Sequence, residues 1–174
     1  VVPLVLKKIK KDLNGTGYKV FEIKNFNLKK IIKINIQNVK QLGSDRIVNS
    51  IEGKKFKNCL VVDFGTATTF DIALVKNIYQ GGIIAPGIHL SLRSLNKFTA
   101  KLPFIDIFYQ KNVIGKDTKS AINSGVYIGY SCLINGIIEK IIKQTKKKYL
   151  VVLTGGYSKI FKQNINYKTV INKN

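Results

Sequence analysis

Along the 174-residue chain the spacing of apolar positions changes period several times, and each change marks an element. Leu6, Ile9 and Leu13 recur near one face at helical spacing, which predicts an amphipathic helix over residues 4–13. Asn14-Gly15-Thr16-Gly17 ends it with turn chemistry. Tyr18, Val20 and Glu22 then alternate with Lys19, Phe21 and Ile23, predicting a strand over 18–24. Residues 28–36, rich in Ile and Lys, fit a strand or a helix. Gly43-Ser44-Asp45-Arg46 opens a predicted helix of about ten residues ending near Gly53.

The second half is sharper. Residues 59–63 form a continuous apolar run closed by an acid, the mark of a buried strand. Residues 68–75 and 78–85 give two more strands, with Lys76-Asn77 as a tight hairpin between them. Pro86-Gly87 breaks the chain before a helix over 88–98, and 103–113 reads as irregular. A long helix over 118–146 precedes a strand at 150–153, Gly155-Gly156, a short helix near 157–163 and a last strand around Val170. Three antiparallel strands, then helix, strand, helix and strand, place the chain in the α/β class.

Composition adds limits. Hydrophobic residues are 45% of the chain, enough for a real core. Lys, Asn or Gly interrupts every apolar run before the ~18 residues of a membrane span, and the N-terminus lacks a basic leader. The expectation is a cytoplasmic protein without a membrane partner. Cys59 and Cys132 both lie in apolar stretches, predicting two buried thiols rather than a disulfide. A lone His89 leaves little room for a His-based metal site or a Ser-His-Asp triad, and reads as a surface residue. No Met is present, so the natural start is expected upstream and the chain to be a piece of a longer protein.

The formal charge of +21 raises nucleic acid as a partner. Yet 28 of the 30 basic residues are Lys, whereas base readout and bidentate phosphate contacts favour Arg. Lys, Ile and Asn together make 70 residues, the composition that A/T-rich codons produce. A solvated Lys surface therefore outweighs specific nucleic-acid binding, although it still helps to recruit anionic small molecules.

Four segments carry candidate chemistry. In Val62-Asp63-Phe64-Gly65-Thr66-Ala67-Thr68-Thr69-Phe70-Asp71 a strand delivers Asp63 to its end and Gly65 permits a turn. The turn amides with the Thr66 and Thr68 hydroxyls can face a phosphate, and Asp63 can hold a cation beside it. A plain hairpin with a polar turn fits equally. In Gly43-Ser44-Asp45-Arg46, Arg46 can grip a carboxylate with two parallel hydrogen bonds and Asp45 can accept a proton from a hydroxyl. A helix start with Ser44 as cap and Asp45 favoured by the dipole fits too. The glycines of Gly81-Gly82 and Gly115 admit close backbone approach or simply make turns, and Thr118 is a ligand contact or a helix cap. Thr154-Gly155-Gly156 can seat a nucleotide's ribose or adenine, although many loops of α/β proteins have the same form. Gly125 and Gly129 let another element approach the long helix, from a dimer partner or from the same chain.

Taken in order, these segments resemble the type III pantothenate kinases of the acetate and sugar kinase, Hsp70 and actin superfamily. The resemblance covers almost the whole chain in one register. It implies RNase H-like domains, with residues 1–56 the remainder of an N-terminal one and 57–174 a C-terminal one. It also implies transfer of the ATP γ-phosphate to pantothenate, the first step toward coenzyme A, in a homodimer with the pocket near the interface. By the same resemblance Gly43, Ser44, Asp45, Arg46 and Thr118 would bind pantothenate, with Asp45 as proton acceptor. Thr66 would contact ATP, accompanied by Mg²⁺, and Asp63 would bind K⁺ or NH₄⁺. Three departures stand out. The family's Asp-x-Gly-Asn-Thr phosphate loop has no counterpart in this chain, Ile36 stands where the family has Tyr, and the sequence stops where a final helix is expected. The competing expectation is a catalytically inactive regulatory protein on the same scaffold, with a basic surface that meets nucleic acid or a partner.

Overall fold

The computed structural model describes residues 3–53 and 55–172. In chain order its elements are α1 (Pro3–Asp12), β1 (Lys33–Ile34), α2 (Ser44–Gly53), β2 (Cys59–Phe64), β3 (Ala67–Leu74) and β4 (Ile78–Pro86). There follow α3 (Ile88–Phe98), α4 (Thr118–Thr145), β5 (Leu150–Gly155), α5 (Ser158–Phe161) and β6 (Thr169–Ile171).

One sheet holds all six strands, in the order β1-β4-β3-β2-β5-β6. β3 runs antiparallel to both neighbours, while β5 pairs parallel with β2, β6 with β5, and β1 with β4. A mixed α/β sheet with its second long strand reversed is the RNase H-like arrangement that the resemblance implied. Lys76 and Asn77, at φ 63° and 56°, make the predicted hairpin with both central residues left-handed. That geometry matches the twist of the flanking strands.

Strand alternation sorts the hairpin residues between two faces. Leu60, Val62, Phe64, Phe70 and Ile72 join the main core with Ile88 and Leu92 of α3 and with Ile122, Val126, Tyr127, Ile134 and Ile138 of α4. The opposite face turns Val61, Asp63, Thr69, Asp71 and Ala73 toward α2. Two apolar side chains without any exposure, Ile134 and Ile138, anchor α4, each stabilising by about 1.5–3 kcal/mol of transfer free energy.

α4 begins with a capping box. The Asp117 carboxylate accepts from Ser120 N at 2.9 Å, the Ser120 hydroxyl faces back to Asp117, and these hydrogen bonds hold the Asp117 carboxyl below its usual range. The helix ends at Lys146 in the left-handed conformation (φ 54°). Its 28 residues are long and apolar enough to cross a membrane, but half of its most apolar window is buried in this domain, as in a core helix.

Two expectations fail. Residues 18–24 form no strand: only a 3-10 turn at Ile23–Asn25 is present, and Tyr18 and Phe21 are 76% and 70% exposed. Alternation there has no neighbouring strand to pair with, so the backbone has no ladder to join. Residues 28–36, readable either way, give a 3-10 turn at Leu28–Lys30 and the two-residue β1. The second failure is Cys132, which is exposed, whereas Cys59 is buried as expected. Ser131 and Ile134 take the inward positions of α4, and the helical period turns residue 132 outward. Burial pushes the Cys59 thiol up to about 11. His89 is a surface residue as expected, edge-on to Phe104.

Candidate functional site

α2 lies across β2 and β3 because Ile47, Ser50 and Gly53 recur on one face and are buried. Gly53 packs directly on Cys59 and Ala73, where a larger residue would lift the helix off the sheet. The same face carries Arg46 and Asn49, three positions apart, and each meets a strand carboxylate.

Arg46 Nε donates to Asp71 Oδ1 at 2.7 Å, and Asp71 has no exposed side-chain surface. Tyr79 Oη donates to the same oxygen at 2.9 Å and Thr69 Oγ1 to Oδ2 at 3.2 Å. Arg46 Cζ stands 5.9 Å from the centroid of the Tyr79 ring. Burial raises the Asp71 carboxyl above its ordinary value, opposed by the charge and hydrogen bond of Arg46 and by the two hydroxyls. Burial and the Asp71 charge together push the Tyr79 hydroxyl upward. Such a pair contributes little net stability, but removing one partner strands a buried charge at a cost of about 3–5 kcal/mol.

β4 makes room for this cluster. Its pairing with β3 slips between Ile72 and Ala73, and Gly81 at φ 109° absorbs the irregularity in a region closed to most side chains. A Cβ on Gly82 would run into the Phe70 carbonyl and the Arg46 guanidinium. The two adjacent glycines therefore have distinct structural reasons.

Asp63 stands at the end of β2. Asn49 Nδ2 donates to its Oδ2 at 3.0 Å, while Oδ1 lies 3.7 Å from the Cβ position of Gly65, toward the turn. Thr66 is exposed in that turn, and the buried Thr68 Oγ1 has no hydrogen-bond partner among the described residues. Parallel pairing sets Asp63 beside Thr154 and Phe64 beside Gly155, so two segments far apart in sequence share one edge of the sheet. Gly155, at φ 85°, presses on the Phe64 backbone. Ligands of open α/β sheets bind at such carboxyl ends.

Asp45 is exposed, and neither it nor Ser44 makes a side-chain hydrogen bond among the described residues. Its carboxylate folds back over the open side of Gly43. The helix-cap reading of Ser44 thus gains no hydrogen bond. Within one chain Thr118 does not join Gly43–Arg46. It lines a groove between α3 and α4, on the other face of the sheet, with Leu90, Leu95, Phe98, Ala121 and Gly125. Among the described residues no heavy atom comes within 4 Å of a Cβ built on Gly125 or Gly129, so packing against them does not explain those glycines.

No group of three His, Cys, Asp or Glu side chains that could hold a metal exists among the described residues. Three partners escaped the sequence reading: Asn49, Asp71 and Tyr79. For Asp71 the hairpin register was the available signal, because it puts Asp63, Thr69 and Asp71 on one face.

The type III pantothenate kinase family model matches residues 1–140. A type III pantothenate kinase of Pelagibacter ubique is 46% identical over 156 residues, covering 89% of this chain and 62% of that protein. One from Sulfurihydrogenibium is 39% identical over 172 residues, 98% of this chain and 68% of the relative. The chain thus spans about three fifths of the length of the Pelagibacter relative it matches. Among solved structures, a Baf family transcriptional activator from Campylobacter jejuni superposes with a TM-score of 0.61 at 23% identity, over 99% of this chain and 73% of that one. That likeness concerns the fold alone. With its family segments in order along one register, the chain belongs to the type III pantothenate kinase family.

Proposed function

We propose that the protein is a cytoplasmic kinase that transfers the γ-phosphate of ATP to the primary hydroxyl of pantothenate, the entry step to coenzyme A. The observation that carries this reading is the double attachment of α2. One turn of helix ties Arg46 to Asp71 and Asn49 to Asp63, so the substrate-binding segment is fixed against the phosphate-side strand.

In this reading Gly43 to Arg46 hold pantothenate, and exposed Asp45 accepts the hydroxyl proton as the oxygen attacks the γ-phosphorus and ADP departs. Thr66 contacts ATP, which binds with Mg²⁺. The Asp63 carboxylate holds K⁺ or NH₄⁺, whose charge offsets the repulsion between carboxylate and phosphate. Residues 1–56 are the remainder of one RNase H-like unit and 57–174 a second; β1 of the first adds to the edge of the second's sheet, and α2 closes over it. The working form is a homodimer. Thr118 lies on the wrong face to reach Arg46 of its own chain, and the apolar α3–α4 groove beside it offers a surface to a second copy. No specific nucleic acid and no membrane enter the reaction.

The test is phosphorylation of pantothenate by the intact protein with Mg-ATP in potassium buffer, followed by mass detection of the product. Formation of phosphopantothenate is expected. ATP left intact with pantothenate and K⁺ both present overturns the reading.

A further inference from the structure

We propose that Asp71 is a positioning residue for substrate binding: with Tyr79 and Thr69 it clamps the Arg46 guanidinium so that only its terminal nitrogens face a ligand. The inference rests on the pantothenate kinase reading and adds to it a residue on another strand. Asp71 itself is sealed from solvent, so it acts through Arg46. All its hydrogen bonds go inward, two on Oδ1 from Arg46 Nε and Tyr79 Oη, one on Oδ2 from Thr69. Holding Nε fixes the plane of the guanidinium and consumes one donor of the edge that would otherwise grip a carboxylate with two parallel bonds.

Of the two terminal nitrogens, Nη2 is buried and without a partner among the described residues and lies over Gly82, whose neighbour Gly81 faces Ile36. A buried cationic donor is costly to leave unmade, so the clamp holds a donor ready for an acceptor oxygen. The side-chain freedom that binding would freeze is already lost in the free protein. Gly82 completes the arrangement, since any side chain there would occupy the place of that nitrogen.

A double-mutant cycle tests the clamp, with pantothenate binding to the intact protein measured by calorimetry, independent of turnover. Asp71→Asn is expected to weaken binding about tenfold in the Arg46 background. In an Arg46→Lys background, which keeps the charge but not the fork, the same substitution should cost less than about twofold. Equal losses in both backgrounds, or no loss in either, overturn the proposal. Should Asp71→Asn not fold, Tyr79→Phe is put through the same cycle, and a loss that ignores the residue at 46 overturns it equally. Wild-type protein that binds no pantothenate overturns the kinase reading instead, and the inference with it.

Discussion

Asn49 and Asp63 meet through a single hydrogen bond of 3.0 Å that divides the duties of one carboxylate. Oδ2 is spent on the helix, and Oδ1 is left toward the Gly65 turn. A carboxylate held in this way keeps its orientation when a cation leaves or enters. Outer partners of this kind matter nearly as much as the ligands they orient.

Asp63→Asn is expected to raise the K⁺ concentration needed for half-maximal activity at least as much as Asn49→Ala, which should raise it about tenfold. Titrating KCl at constant ionic strength reads both. Equal activity in sodium-only and potassium buffers would remove the cation from the reading altogether.

Gly82→Ala tests the close packing under Arg46. The new methyl group meets the Phe70 carbonyl and the guanidinium, neither of which can retreat without breaking the β3–β4 ladder or the ion pair. Stability should fall by about 3 kcal/mol or more, at the upper end of overpacking costs. At Gly125, where a Cβ has no neighbour within 4 Å among the described residues, the same substitution should leave the monomer's stability equal or slightly higher. Urea denaturation of both variants gives the contrast, and similar losses at the two positions would refute the packing argument.

The sequence made most of the sheet legible, because β2, β3 and β4 combine apolar runs with punctuation at Lys76-Asn77 and Pro86-Gly87. The helix over Ile88–Phe98 likewise follows from Pro-Gly before it and a helical period within it. Alternation misled at Tyr18–Ile23 because a strand needs a partner, and pairing is not a local property. The site divided along the same line. Arg46 and Asp63 were visible as chemistry in short motifs, whereas their partners Asp71 and Asn49 became assignable only through register and helix docking. Tyr79 carried no signal beyond an ordinary strand aromatic, and its role depends on the slip in pairing next to Gly81.

The two cysteines should separate cleanly by reactivity. With its thiol pushed up to about 11, Cys59 holds only about one thiolate in a thousand at pH 8, and the sheet also blocks access. A thiol reagent at that pH should modify one cysteine of the native protein, Cys132, and the second only after denaturation. The thiolate fraction of Cys59 rises as pH approaches its raised value, so its labelling should speed up toward pH 10 or so. Two rapid equivalents at pH 8 would contradict the burial of Cys59.

Asp45 decides between a helix terminus and a catalytic base. Phosphoryl transfer asks little covalent chemistry of a protein, so a carboxylate near the attacking hydroxyl acts by orienting it and taking its proton late. Loss of such a base costs on the order of 10²–10⁴ in rate. The exposed carboxylate of Asp45 makes no side-chain hydrogen bond among the described residues, so its removal leaves no buried group unpaired. If it served only the helix dipole, Asp45→Asn would keep turnover and lower stability by about 0.3–1 kcal/mol. The expected outcome is the reverse: kcat of the intact protein falls at least about a hundredfold while the melting temperature and pantothenate binding stay near wild type. Steady-state kinetics beside a thermal melt give the answer. Near-normal turnover with a lowered melting point would make Asp45 a helix residue and leave the phosphorylation step without its proton acceptor.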